Sequence, residues 1–160
     1  MLEELFPRRV PCGNFTKENV TSDKIVVSGW VYHYRDQGGV IFIDLRDRSG
    51  ILQLVFDKST NEKLHAEADT LRSEDVILVE GVLRQRDKDS INPKMPTGEV
   101  ELVAEKLFVL SKCNHLPMPV DEYERPGEDT RLKYRFLDLR RREMQEALQA
   151  RHQFIHAVRM

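Results

Sequence analysis

Over residues 24–110 the hydrophobic period of this sequence is that of β-strands in five segments and that of a helix in one, and the helix falls between the third and fourth strands. Lys24 to Asp36, KIVVSGWVYHYRD, is dense in β-branched and aromatic residues, which favours a strand. Gly29 inside it predicts a bulge or bend. Gly38-Gly39 then tolerates a positive φ and suits a hairpin turn. In Val40 to Asp47, Ile41, Ile43 and Leu45 share one face, and Phe42, Asp44 and Arg46 share the other. Arg48-Ser49-Gly50 marks a second turn. In Ile51 to Phe56, Leu52, Leu54 and Phe56 form the more apolar face; Ile51, Gln53 and Val55 form its opposite. Asn61 to Arg72 then carries Leu64, Ala68 and Leu71 at intervals of four and three, the stripe of a short helix. Val76 to Arg86 and Glu99 to Leu110 are the fourth and fifth strands, separated by the polar stretch DKDSINPKMPTG. Gly81 lies within the fourth.

Five strands with a helix after the third is the order of an OB-fold, a partly open Greek-key barrel. The expected class is therefore mainly β. A five-stranded OB-fold barrel spans residues 1–113, and residues 114–160 form a linker and the start of a further region. The linker is the proline- and acid-rich stretch Asn114 to Thr130. Beyond RLKYRFLDLRRR, residues Met144, Ala147, Leu148, Phe154, Ile155 and Val158 fall on one side of a helical wheel. The chain reaches Met160 with no cap or breaker, so more sequence is expected after it.

Composition narrows the classes of function. With 40% hydrophobic and 32% charged residues, the chain can bury a core. A net charge of −2 means that any grip on nucleic acid comes from a local patch. Cys12 and Cys113 are far apart and in no CxxC pair, which argues against a disulfide framework and against a structural zinc site. Two free thiols in a reducing compartment are expected. The first residues show no apolar leader, and no stretch reaches the length of a membrane span. The expected location is the cytoplasm.

Three blocks carry a resemblance. GWVYHYRDQGGVIFIDLRDRSGILQLVF (Gly29 to Phe56) is similar to the first three strands of bacterial aspartyl-tRNA synthetases. NPKMPTGEVE (Asn92 to Glu101) resembles their fourth-to-fifth strand connection. RLKYRFLDLRR (Arg131 to Arg141) resembles the hinge before their class II catalytic core. The blocks occur in family order over nearly the whole chain. Lysyl- and asparaginyl-tRNA synthetases have related OB domains; the RDxGG spacing, the MPTGE loop and the YRFLDLR hinge point to the aspartyl branch. The resemblance implies an anticodon-binding module of an aspartate–tRNA ligase. It implies a parent enzyme, homodimeric, that aminoacylates tRNA for aspartate, with tRNA for asparagine left open. ATP and Mg²⁺ would act in a catalytic domain not recognisable here. No cofactor, DNA or membrane is expected for this chain.

RNA loops are read by stacking unstacked bases on aromatic faces and hydrogen-bonding their edges. An OB barrel offers its second and third strands for this. Phe42, on the face with Asp44 and Arg46, is a stacking platform or a misread core residue; alternation alone leaves both open. Arg35 is a base contact or a surface ion pair with Asp36 or Asp44. Gln53 is a base reader or a solvated polar residue. The resemblance implies that Phe42, Gln53 and Arg35 meet the middle anticodon base. It implies that Arg84, Arg86, Asn92 and Glu101 meet the first and third; a solvated charged loop is the plain alternative. Ser90 stands where many members of the resembled family have an Asn, and Val55 where some have an aromatic residue. The resemblance implies that the neighbourhood of Gln37 influences the choice between aspartate and asparagine tRNA, in a direction that the residue leaves open. Arg131, Lys133, Arg135, Arg140, Arg141 and Arg142 form a basic cluster. They suit phosphates of the tRNA stem or, equally, ion pairs with Asp138, Glu143 and the acidic linker. A stand-alone single-strand-binding OB protein and a protein-interaction OB domain are the competing classes.

Overall fold

The computed structural model describes residues 2–120 and 125–160. Residues 121–124, the acidic middle of the expected linker, lie outside the described residues. The chain divides into two compact units, Met1–Cys113 and Asn114–Met160.

The first unit opens with a short helix, α1 (Leu2–Leu5), and three single 3-10 turns. The strands are β1 (Lys24–Asp36), β2 (Val40–Arg46), β3 (Ile51–Asp57), β4 (Val76–Gln85) and β5 (Val100–Ser111). They close into a barrel in the order β1-β2-β3-β5-β4. Every pairing is antiparallel except β3 with β5, where Leu54 meets Leu102 and Val55 meets Val103 in parallel. That parallel pairing closes the barrel, which is the OB-fold expected from the order of elements.

The alternation decides what lies inside. Ile41, Ile43, Leu45, Leu52, Leu54 and Leu102 are fully buried, as are Ile77 and Val79 from β4. Burying a side chain of this kind stabilises by about 1.5–3 kcal/mol, so register is strongly specified. The helix α2 (Glu62–Asp69) starts at Asn61, whose side chain accepts the Leu64 N–H at 3.1 Å. Its stripe of Leu64 and Ala68, continued by Leu71, joins the same core.

Two glycines show why curvature is possible. Gly38 turns the β1–β2 hairpin at φ 77°. Gly81 sits at a register shift between β4 and β5, and a Cβ there would lie 2.1 Å from the Val103 carbonyl oxygen. The irregularity expected at Gly29 falls two residues later, between Val31 and His33. Gly29 itself continues the regular pairing with β4, opposite Ile77.

The second unit holds α3 (Glu128–Lys133), α4 (Arg135–Asp138) and α5 (Arg142–Arg159). It differs from the expected linker in two ways. A helix begins at Glu128, inside the stretch expected to be irregular, and Met118 and Val120 are buried against Leu137 in a small core. Their side chains are apolar in an otherwise polar segment, and that is enough to pin it locally. No residue of α5 is buried; Phe154 and Val158 on its apolar side are 71% and 72% exposed. Among the described residues no helix is long and apolar enough to cross a membrane.

Candidate nucleic-acid interface

Cross-strand pairing brings the polar outer face of the barrel together. Arg35 pairs with Phe42, Phe42 with Val55, Asp44 with Gln53, and Arg84 with Glu101. Directly opposed residues share a face with Cβ atoms about 5 Å apart. Phe42 therefore lies outside the barrel, half-buried, while its neighbours Ile41 and Ile43 are fully buried. It is not a core residue.

A chain of hydrogen bonds runs across all five strands beside Phe42. Arg35 Nη2 donates to Asp44 Oδ1 and to Gln53 Oε1, each at 3.0 Å. Gln53 Nε2 donates to Glu101 Oε2 at 3.0 Å, and Arg84 Nε donates to Glu101 Oε1 at 2.7 Å. The ends are exposed and the middle is not: the side chains of Arg35 and Arg84 are 50% and 57% exposed, those of Asp44 and Glu101 only 10% and 7%. Gln53 is 7% exposed. The plain alternative of a solvated glutamine does not describe it, because both ends of its amide are engaged. The plain alternative for Arg35, an ion pair with Asp44, is present, and the same nitrogen also holds Gln53.

Arg86 lies beneath this chain. Its side chain is 3% exposed, with Nε 2.9 Å from the Val100 carbonyl oxygen and 3.9 Å from Glu101 Oε2. Among the described residues its Nη2 has no hydrogen-bond partner. Burial lowers its pKa, and the nearby charges of Glu101 and Asp44 oppose that shift. A buried donor with no acceptor is costly to leave so. Arg86 is thus a buried charge behind Glu101, where the polar loop pattern suggested a solvated one.

Asn92 is placed differently. Its side-chain oxygen accepts the Lys94 N–H at 3.1 Å, and its main chain bonds Gly98 and Met95. It shapes the loop between β4 and β5 and makes no hydrogen bond to the chain above. Ser90 and Gln37 are exposed, at a 3-10 turn and at the β1–β2 hairpin. Asp44, which the sequence suggested only as an ion-pair partner, is a full member of the network. Its signal was its position two residues from Phe42 on the same strand face.

The basic cluster of the second unit is largely paired within itself. Arg131 and Arg135 bind the fully buried carboxylate of Asp138 at 2.8 and 2.7 Å. Arg142 pairs with Glu146 at 2.7 Å, and Arg141, 5% exposed, donates to the Pro119 carbonyl at 3.5 Å. Lys133 is exposed, with its ammonium 5.3 Å from the Tyr134 ring, and Arg140 is half-buried. For Arg131 and Arg135 the geometry is that of ion pairing, the plain alternative.

The chain as a whole is similar to known proteins. The chain is 49% identical over 136 residues to an aspartate–tRNA(Asp/Asn) ligase of Halothermothrix orenii, covering 85% of this chain and 23% of that one. It is 43% identical over 148 residues to an aspartate–tRNA ligase of Halalkalibacterium halodurans, covering 92% and 25%. The chain thus spans about a quarter of the length of the curated relatives it matches. Among solved structures, the asparaginyl-tRNA synthetase from Pyrococcus horikoshii complexed with asparaginyl-adenylate superposes with a TM-score of 0.78 at 28% identity, over 94% of this chain and 33% of that one. Residues 25–110 match the tRNA anti-codon family, so the chain belongs to this family of OB-fold nucleic acid binding domains.

Proposed function

We propose that this chain reads the anticodon loop of the tRNA for aspartate, as the recognition module of an aspartate–tRNA ligase. The observation that carries the reading is Phe42 beside the Arg35–Gln53–Glu101 chain, an aromatic platform next to oriented hydrogen-bonding groups. A base stacked on Phe42 would gain about 1–3 kcal/mol. Its edge would meet the Gln53 amide, with Arg35 adding a contact to base or phosphate. Arg84 and Glu101 would serve the flanking bases, and Arg86 would act from behind Glu101. Asn92 would hold the loop that bounds this region. Lys133, Arg140, Arg131, Arg135 and Arg141 would contribute positive charge toward tRNA phosphates in the second unit.

The full-length enzyme would work in the cytoplasm as a homodimer and would join aspartate to tRNA with ATP and Mg²⁺. Tolerance of the tRNA for asparagine would be set near Gln37. That chemistry would belong to the part of the relatives this chain does not cover. Among the described residues no cluster of three or more His, Cys, Asp or Glu side chains is placed to hold a metal ion.

The test is binding of the chain to two anticodon stem-loops, one with GUC and one with the middle U changed to C, at two salt concentrations. A preference for U that survives the higher salt is expected. Equal binding to both loops, falling steeply with salt, would leave only backbone contact and a sequence-neutral single-strand binder.

A further inference from the structure

We propose that Glu101 is a positioning residue that sets the choice of middle base by fixing which way the Gln53 amide points. The inference rests on the proposed reading of the middle base by Gln53 and deepens it.

A glutamine amide is nearly symmetric in shape but not in chemistry. Rotation by half a turn exchanges its acceptor oxygen with its donor nitrogen. One orientation complements an edge that pairs a carbonyl with an N–H, as in uracil. The other complements an edge that pairs an amino group with a bare ring nitrogen, as in cytosine. A lone glutamine could therefore serve either base. Its selectivity depends on what holds the amide.

Here the two holders are chemically one-sided. The Arg35 guanidinium can only donate, and it lies 3.0 Å from Oε1. The Glu101 carboxylate, when ionised, can only accept, and it lies 3.0 Å from Nε2. Turning the amide over would set N–H against guanidinium and oxygen against carboxylate. The Arg35 holder is half exposed and also shared with Asp44. Glu101 is the firmer of the two. It is buried on β5, its other oxygen is held by Arg84 at 2.7 Å, and the Arg86 guanidinium stands 3.9 Å behind it. Gln53 retains one lone pair and one N–H beyond these bonds, enough for a two-point contact with a base edge. A bond to a charged group strengthens in so dry a setting, so the fixed orientation is strongly favoured.

Glu101→Gln is the decisive variant. A glutamine at this position can donate as well as accept, so it tolerates both orientations of Gln53. The full chain and the variant are compared on four stem-loops: GUC, GCC, AUC and ACC. In the wild type, U is preferred over C in the middle. In E101Q that ratio is expected to fall about tenfold, through gain on the C loops as well as loss on the U loops. If E101Q keeps the wild-type ratio in the middle, or changes only the G-to-A preference at the first base, the proposal is overturned and Glu101 acts on the first base alone. If the wild type shows no middle-base preference, the reading of Gln53 fails and this inference fails with it. Because E101Q leaves Arg86 with less compensation, Glu101→Asp, which keeps the charge beside Arg86 but draws the carboxylate back from Gln53 Nε2 by one methylene, supplies the same ratio should E101Q not fold. A fall in the ratio supports the lock, and an unchanged ratio overturns it.

Discussion

Phe42 is the residue whose removal separates binding from folding most cleanly. It projects from the outer face, and its neighbours on the strand, Ile41 and Ile43, carry the core contacts. Phe42→Ala should weaken binding to the GUC stem-loop by about 1–3 kcal/mol, the value of one base stacked on an aromatic ring. Its thermal unfolding midpoint should stay close to that of the wild type. Unchanged affinity would remove Phe42 from the interface. At this scale the alternation of β2 set Phe42 on the face opposite Ile41 and Ile43 but left open which face was the core; barrel closure buries the isoleucines. The alternation did not tell whether Gln53 met water or protein, because a polar residue in a strand carries no record of its cross-strand partners. The parallel contact of β3 with β5 brings Glu101 to Gln53 across a separation of 48 residues.

Between elements, the barrel depends on single polar side chains where strands start and stop. Asp75, at the start of β4, is fully buried. One of its oxygens accepts the Cys113 N–H at 2.7 Å; the other accepts the Arg72 N–H at 2.9 Å and the Lys112 ammonium at 3.0 Å. Burial alone would raise its pKa, but these donors outweigh it and hold the carboxyl below its ordinary value. Asp75 thus ties the turn after α2 to the end of β5. Asp75→Ala leaves two backbone N–H groups without this partner and should cost about 1–3 kcal/mol for each that stays buried and unsatisfied. Denaturant unfolding would show it as a lower midpoint; an unchanged midpoint would mean that water replaces the carboxylate. The strands and α2 were legible because each has a clear period and a capping or turn residue. The 3-10 turns before β1 and the helix starting at Glu128 were not, since short helical turns carry too few residues to show a period.

Across the whole molecule, charge is distributed by pairing rather than by excess. The net charge is −2, and cations of the outer face and of the second unit are tied to carboxylates. In the second unit, hydrogen bonding from Arg131, with the charges of Arg131, Arg135 and Arg141, holds the Asp138 carboxyl below its ordinary value. A carboxyl whose folded pKa is depressed stabilises the fold above its unfolded value, about 3.9, and that stabilisation is lost as pH falls through the folded value. Acid titration followed by helical ellipticity should therefore show a loss of helix at pH below about 4. Asp138→Asn should already be destabilised at neutral pH and should show a smaller acid step. An equal acid step in Asp138→Asn would assign the transition to other carboxyls.

The sequence by itself determined the order of elements, which residues share a strand face, the position of α2 and the composition of the polar face. Those follow from local period and from residue chemistry, which act over a few positions. Only the tertiary structure decided that Gln53 is buried between a donor and an acceptor. It also decided that Arg86 is a dry charge behind Glu101, and that the arginines near Asp138 are spent largely on each other. Each of these depends on barrel closure or on a small core formed by distant residues, and no local pattern encodes the partner of a side chain.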